Sequence, residues 1–374
     1  MCLITGKIQK RDNVLVSKVF ESQGSGQQMK RHGNLWNKII DRDNLLLAYK
    51  LARKGKGKKQ GVRLFERNVD KNIDTIRQML ITKTYTTSRY NTRTIFEPKK
   101  RIIYILPFAP DRIIQHAILN VVEPIWDKLF IAESFACRKG KGIHKGSLKT
   151  MSYIRHNKYC LKCDIHHFYP SINHTVLKNI IRQKIKDKDL LWLLDDIIDS
   201  YPGDTNVPIG NYTSQWFGNL YLNELDKYVK QELRFKCYLR YCDDFLFFGN
   251  NKEELHTIAN KVQKFCLDKL KLTFSKCDLF PVSCGVDFLG YRHFPHYILI
   301  RKSTAKRAKK RIKSIIKRAY QHKITLGQFR STVASYLGIA KHANAFNFQE
   351  SLRLKYLTKE CKYAKQIDEL ASRI

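Results

Sequence analysis

The chain has 374 residues, 43% of them hydrophobic, enough to bury a large core in two or three lobes, so a disordered or fibrous protein is excluded. Lys and Arg number 70 against 33 Asp and Glu, and a formal charge of +37 calls for a polyanionic partner. No run approaches the roughly 18 apolar residues of a membrane span and no signal-peptide core follows the N-terminus, so nucleic acid is expected rather than a membrane.

In chain order, residues 1–28 include a small-polar stretch, Glu21 to Gln28, that reads as a linker. Residues 35–53 have helical periodicity, and Lys54 to Lys59 is a basic, glycine-punctuated loop. Tyr159 to Asp164 reads as a short strand ending in a carboxylate, with Phe168, Tyr169 and Pro170 marking a turn. Helical pattern follows over His174 to Ser200 and again over Thr213 to Leu233. Tyr238 to Phe248 then has two aromatic and apolar runs around Asp243-Asp244, the pattern of a tight hairpin. From Arg301 onward, Ala308, Ile312, Ile315, Ile316 and Ala319 make one apolar helical stripe, and Lys306, Lys309, Lys310, Lys313 and Lys317 gather on an adjoining arc. A basic face so dense and free of acids is expected to track phosphates. The ten cysteines are scattered, which fits a reduced, cytoplasmic protein without a disulfide framework. Cys160 and Cys163 would point to opposite faces of a strand and have no second pair nearby, which argues against zinc.

Asp243 and Asp244 carry the most information. Adjacent carboxylates resist ionising together, and burial makes that worse. A solvated turn is the plain explanation; divalent cations that cancel the charge are the functional one. Asp164 favours the second. It stands at another strand end, 79 residues upstream, ample chain for a helical crossover that brings the strands together. Three carboxylates would then converge on two cations about 3.5–4 Å apart, the in-line phosphoryl-transfer arrangement of polymerases.

On these residues the sequence resembles the reverse transcriptases. Tyr241-Cys242-Asp243-Asp244 matches their Tyr-x-Asp-Asp box and Asp164 their first catalytic aspartate. The match continues in order: Glu97 to Ile103 and Asp111 to His116 look like the fingers blocks of the group II-intron-like bacterial branch, extended by Ser134 to Arg138 with Gly142 and His144. Val207 to Gln215 looks like the nucleotide-pocket block, and Asp287 to Tyr291 like the primer-grip hairpin. The resemblance implies an α+β right-hand polymerase fold, with an N-terminal extension over 1–29, fingers over 30–158, a palm of antiparallel sheet backed by helices over 159–300, and a basic helical thumb over 301–374.

It also implies roles. Asp164, Asp243 and Asp244 would be the catalytic carboxylates, with the backbone carbonyl of Ile165 as a further ligand to two Mg²⁺ ions, for which Mn²⁺ can substitute. Tyr169 matches the steric gate against a ribose 2′-hydroxyl, where RNA-copying RNA polymerases typically carry an aspartate. Lys99 and Arg101 match triphosphate-binding cations. Arg112 and Arg138 match template-backbone contacts, and Phe288, Leu289, Gly290 and Tyr291 the primer grip. Lys276 is a candidate general acid for pyrophosphate. Template RNA, a DNA or RNA primer and dNTPs would be the partners.

The pocket block narrows the match. Ile209-Gly210 with Ser214-Gln215 replaces the usual Pro-Gln-Gly and Ser-Pro, and is similar to the reverse transcriptases of diversity-generating retroelements. Those enzymes copy a template-repeat RNA with errors at adenines, and the resemblance brings with it a small, basic, oligomeric accessory variability protein. Independently of the family, Ile209 offers only apolar contact where a glutamine would hydrogen-bond near the nucleotide, which loosens geometric discrimination. The alternatives are a retron-like or phage-defence reverse transcriptase and a non-catalytic, maturase-like RNA-binding protein; the intact carboxylates and Tyr169 argue against the last.

Overall fold

The computed structural model describes residues 31–96 and 100–374. The extension expected over 1–29, and Lys99, lie outside the described residues. Strands β1 (Asn91–Ile95) and β2 (Arg101–Ile105) pair as an antiparallel hairpin. The central sheet holds β3 (Tyr159–Ile165), β4 (Tyr238–Tyr241), β5 (Asp244–Gly249) and β6 (Phe274–Pro281) in the order β4-β5-β3-β6, every neighbour antiparallel. A three-stranded meander follows: β7 (Val286–Phe288), β8 (Tyr291–His293) and β9 (Ile298–Ile300). Helices supply most of the rest, giving the expected α+β right-hand polymerase fold.

Alternation along the central strands sorts their side chains onto two faces. Leu161, Cys163 and Ile165 of β3, with Phe245 and Phe247 of β5, join the largest core, which the helices Tyr212–Lys227 and Lys252–Leu270 complete. The other face carries Cys160, Leu246 and Phe248 at one end, packed with Val286 and Phe288 from the meander. At its opposite end the same alternation leaves Lys162, Asp164 and Asp244. One sheet is thereby apolar beneath and split above, half covered and half charged.

The helical run expected over His174 to Ser200 is two helices, His174–Arg182 and Lys188–Asp199. Pairing with the N-terminal segment interrupts it: His32 N–H donates to the Lys184 carbonyl at 2.8 Å, and Lys186 N–H returns the bond to His32 at 2.8 Å. Asp187 then caps the second helix, one oxygen accepting from Leu190 N–H at 3.2 Å while the other accepts from Leu35 and Trp36 at 2.7 and 3.0 Å. Periodicity cannot reveal this break, because apolar spacing continues through it while a tertiary partner takes the backbone bonds. The second expected helix starts at Tyr212 and ends in a π turn over Tyr228–Glu232.

The main core runs without interruption from Leu35 to Leu272, so residues before and after 158 share one interior. Residues 302–374 close over a separate core, where Ala308, Ile312, Ile315 and Ala319 pack with Phe329, Val333, Leu354 and Leu357. Each isoleucine buried there contributes roughly 1.5–3 kcal/mol. No helix among the described residues is long and apolar enough to cross a membrane.

Candidate active site

Strand register brings the carboxylates together. Asp164 lies opposite Asp244 across β3 and β5, and opposite Lys276 across β3 and β6. Asp243 occupies the turn between β4 and β5, directly after Cys242, whose φ of +54° lies in the left-handed region. A non-glycine residue there is strained unless its surroundings hold it. They do so through Arg240, whose side chain has no solvent exposure. Its guanidinium donates to the Cys242 carbonyl at 3.1 Å, to Asn219 at 3.2 Å, to Ser134 at 3.1 Å, and to both oxygens of the equally buried Asp226 at 2.6–3.1 Å. Tyr238 donates to the same Asp226 at 2.7 Å.

Burial, first, and then the nearby charges of Asp244 and Asp164 push the Asp243 carboxyl up to about 6, while Arg101 opposes the rise. Arg101 of the fingers-like hairpin is thus electrically part of the site. Lys162 stands 3.9 Å from Asp244 and donates to the Asp287 carbonyl at 2.9 Å, linking the carboxylate face to the meander. Ser275 donates to the Asp164 carboxylate at 2.8 Å. Sequence reasoning missed Arg240, Asp226, Lys162 and Ser275. Two of these left a signal: an arginine inside the apolar run Tyr238 to Phe248 needs a buried partner, and Lys162, two residues before Asp164, shares its face.

Tyr169 is tied to the pocket block, its carbonyl accepting from Val207 N–H at 3.0 Å. Gly218 makes room for its ring: a Cβ there would lie 3.3 Å from Tyr169 Cε1 and 3.0 Å from Phe168 Cε1. Burial raises the Tyr169 phenol's pKa, so the ring end stays neutral. The Ile209 carbonyl accepts from Tyr104 N–H of β2 at 2.7 Å. Gly210, with φ +126°, lets β2 approach this closely; a Cβ would meet the Tyr104 carbonyl oxygen at 2.2 Å. Ile209 is half-buried and Gln215 is exposed on the first turn of the following helix.

These carboxylates, Tyr169 and the segment Val207 to Gln215 fall within residues 92–293, which match the family model described as reverse transcriptase (RNA-dependent DNA polymerase). The chain belongs to the reverse transcriptase family. Among its relatives, protein YkfC of Escherichia coli is 26% identical over 53% of this chain and 62% of its own length. The retron Ec73 reverse transcriptase of Escherichia coli is 29% identical over 43% of this chain and 50% of its own. The group II intron-encoded protein LtrA of Lactococcus lactis is 27% identical over 34% of this chain and 22% of its own. The chain thus spans at most about three fifths of the length of these relatives.

Reverse transcriptases depend on divalent metal. Among the described residues no three carboxylate, thiol or imidazole groups stand close enough to enclose an ion by themselves. The donor set nonetheless suits a hard divalent cation held by one or two carboxylates, with water and substrate phosphates completing its coordination. The raised Asp243 carboxyl points the same way, since carboxylates crowded at a half-buried turn are relieved by a cation. Asp164, Asp243 and the Ile165 carbonyl would hold it, with Asp244 facing Lys162.

The other residues expected to act in the site are distributed unevenly. Arg138, expected at the template backbone, has its guanidinium engaged within the protein. Its side chain is 7% exposed and donates to Asp127 at 2.6 Å and to the carbonyls of Ile131, Ser134 and Asp127 at 2.7–3.2 Å. The guanidinium staples a loop, and sequence spacing cannot tell that use from a phosphate contact. Phe288 and Tyr291 are likewise buried, so of the four residues expected to form a primer grip only Leu289 and Gly290, at the turn, are partly exposed. Leu289 seats against Gly146, where a Cβ would come within 2.7 Å. Arg112 donates to the Gly210 carbonyl at a long 3.4 Å and lies beside Lys56 and His116, a cationic cluster in which burial and the two neighbours lower His116 to about 4. Lys276 is exposed opposite Asp164, and Lys306, Lys309, Lys310 and Lys313 are all exposed, without an ion-pair partner among the described residues.

Proposed function

We propose that the chain is an RNA-directed DNA polymerase that copies a template-repeat RNA into cDNA within a diversity-generating retroelement. The observation that carries the polymerase reading is the register that sets Asp164 beside Asp244 under the Asp243 turn, with Tyr169 bonded to the pocket block. Fingers over 30–158, palm over 159–300 and thumb over 301–374 would divide the work. Bound Mg²⁺ or Mn²⁺ supplies charge neutralisation and activation of the primer 3′-hydroxyl. Arg101 binds the triphosphate, Tyr169 excludes the 2′-hydroxyl, and Lys276 donates a proton to departing pyrophosphate. Leu289 and Gly290 support the primer end, while the thumb lysines follow the duplex backbone.

The mutagenic part rests on Ile209. Its main chain is fixed by β2, so the block is held firmly; its side chain adds no hydrogen bond to the substrate. A well-placed but apolar wall sets shape and leaves polar discrimination weak. An accessory variability protein would help hold the template RNA. The deciding experiment sequences cDNA made by the full chain with its flanking RNA and accessory protein, in wild type and Ile209→Gln. Errors concentrated at template adenines, and fewer of them in the variant, are expected. Accurate copying of adenines by wild type would overturn the retroelement reading and leave the polymerase assignment standing.

A further inference from the structure

A second cationic surface lies outside the carboxylate site. Where the helix Ile143–Ile154 meets the segment 296–298 and the end of the helix Leu326–Ala340, an open groove of about 420 Å³ is lined by Arg155, His156, His296, Lys341 and His342. No carboxylate stands in its wall. It shares no residue with the carboxylates, the gate or the thumb lysines.

The groove is built rather than incidental. Its two walls come from different cores, and they are joined beside it: the His342 ring stacks on His144 with centroids 3.5 Å apart and planes 23° apart. Asn344 fixes Ile298 through two bonds, N–H to the Ile298 carbonyl at 2.7 Å and side-chain oxygen from Ile298 N–H at 3.1 Å. Arg155 uses Nε on the Pro295 carbonyl at 3.3 Å, which aims its remaining nitrogens without neutralising them. At the rim, Tyr297 is 43% exposed and stacks on Phe294 at 4.7 Å, so a backed aromatic plane faces outward beside the cations.

Arg155 and Lys341 with no acid in the wall suit an anion, the three imidazoles add hydrogen-bonding groups, and an exposed ring beside them suits a base. Single-stranded nucleic acid is bound by this combination of backbone-tracking charge and aromatic stacking. The volume is that of a small-ligand pocket, which favours an unpaired nucleotide over a duplex. We propose that this groove binds a single-stranded RNA segment outside the copied stretch, with phosphates against Arg155 and Lys341 and a base on Tyr297. Such a segment would bridge the two cores and keep the template attached while the cleft advances. The inference rests on the polymerase reading only in taking RNA as the polyanion.

The test uses the full chain and a labelled unstructured RNA, with primer extension measured separately on a short preassembled primer–template. Each lost single-strand phosphate contact lowers the salt slope by about 0.7, so Arg155→Gln/Lys341→Gln should lower its magnitude by up to about 1.4 and weaken RNA severalfold. Extension on the short duplex should be unchanged. Because Arg155 also holds Pro295, His296→Gln/Lys341→Gln serves as a second variant; both residues are exposed. Tyr297→Ala should weaken RNA without changing the slope. Unaltered slope and affinity in the folded variants would overturn the proposal. So would extension falling in parallel with RNA binding, or polyglutamate competing as well as RNA. If wild type binds RNA through the groove but extends no primer, the polymerase reading fails and this one stands.

Discussion

The guanidinium of Arg240 donates to the carbonyl oxygen of Cys242 at 3.1 Å from a position without solvent exposure. That bond places a buried charge directly behind the turn that presents Asp243. An unpaired buried arginine would be untenable, and Asp226 at 2.6 Å makes it stable. The pair therefore acts on the site through the backbone: it fixes the left-handed residue that sets the Asp243 direction.

Removing one partner exposes the other's cost. Arg240→Met should destabilise the protein by about 3–5 kcal/mol, because Asp226 is left buried and uncompensated. The double variant Arg240→Met/Asp226→Leu should regain most of that stability while remaining slow in primer extension, since Cys242 still lacks its donor. Urea unfolding and single-turnover rates separate the two effects. A stable double variant with wild-type turnover would show that the pair serves folding alone.

Asp243→Asn should abolish dNTP incorporation while leaving RNA affinity intact or slightly raised. Its stability effect has a defined sign. The folded carboxyl sits at about 6, above the ordinary 3.8, so ionising it costs the folded state, and stability falls as pH rises from about 4 to about 6. Without added metal, the asparagine variant should melt a few degrees higher than wild type at pH 8 and show little difference near pH 4. Thermal melts at the two pH values check this, and divalent metal should narrow the gap at pH 8.

Tyr169→Ala should raise the use of rNTPs relative to dNTPs by about tenfold or more, which corresponds to roughly 1.4 kcal/mol of lost discrimination. Gly218→Ala should disturb the same selection from behind, because its Cβ would press on both Phe168 and Tyr169. Steady-state incorporation of paired rNTP and dNTP substrates measures both. Unchanged selectivity in an active Tyr169→Ala enzyme would remove the gate assignment.

Neutralising Lys306, Lys309, Lys310 and Lys313 removes up to four phosphate contacts from an exposed helical face. The magnitude of the salt slope for primer–template binding should fall by roughly three. Titration of labelled hybrid duplex across salt concentrations gives the slope directly, and no change would mean that this face is merely solvated.

The sequence alone determined the features that depend on local order. The apolar runs on either side of Asp243, the strand that carries Asp164 and the helical stripe from Ala308 to Ala319 are short-range patterns, and each became the expected element. What needed the tertiary structure were pairings between distant segments. The register of β3 against β5 decided that Asp164 meets Asp244, and the fit of β2 against Gly210 decided why a glycine stands there. Arg138 and Arg240 show the limit most clearly. Both are arginines near a family motif, yet one staples a loop and the other holds the Asp243 turn. A guanidinium's role is set by which carbonyls and carboxylates surround it, and those are brought by chain segments that local periodicity does not see.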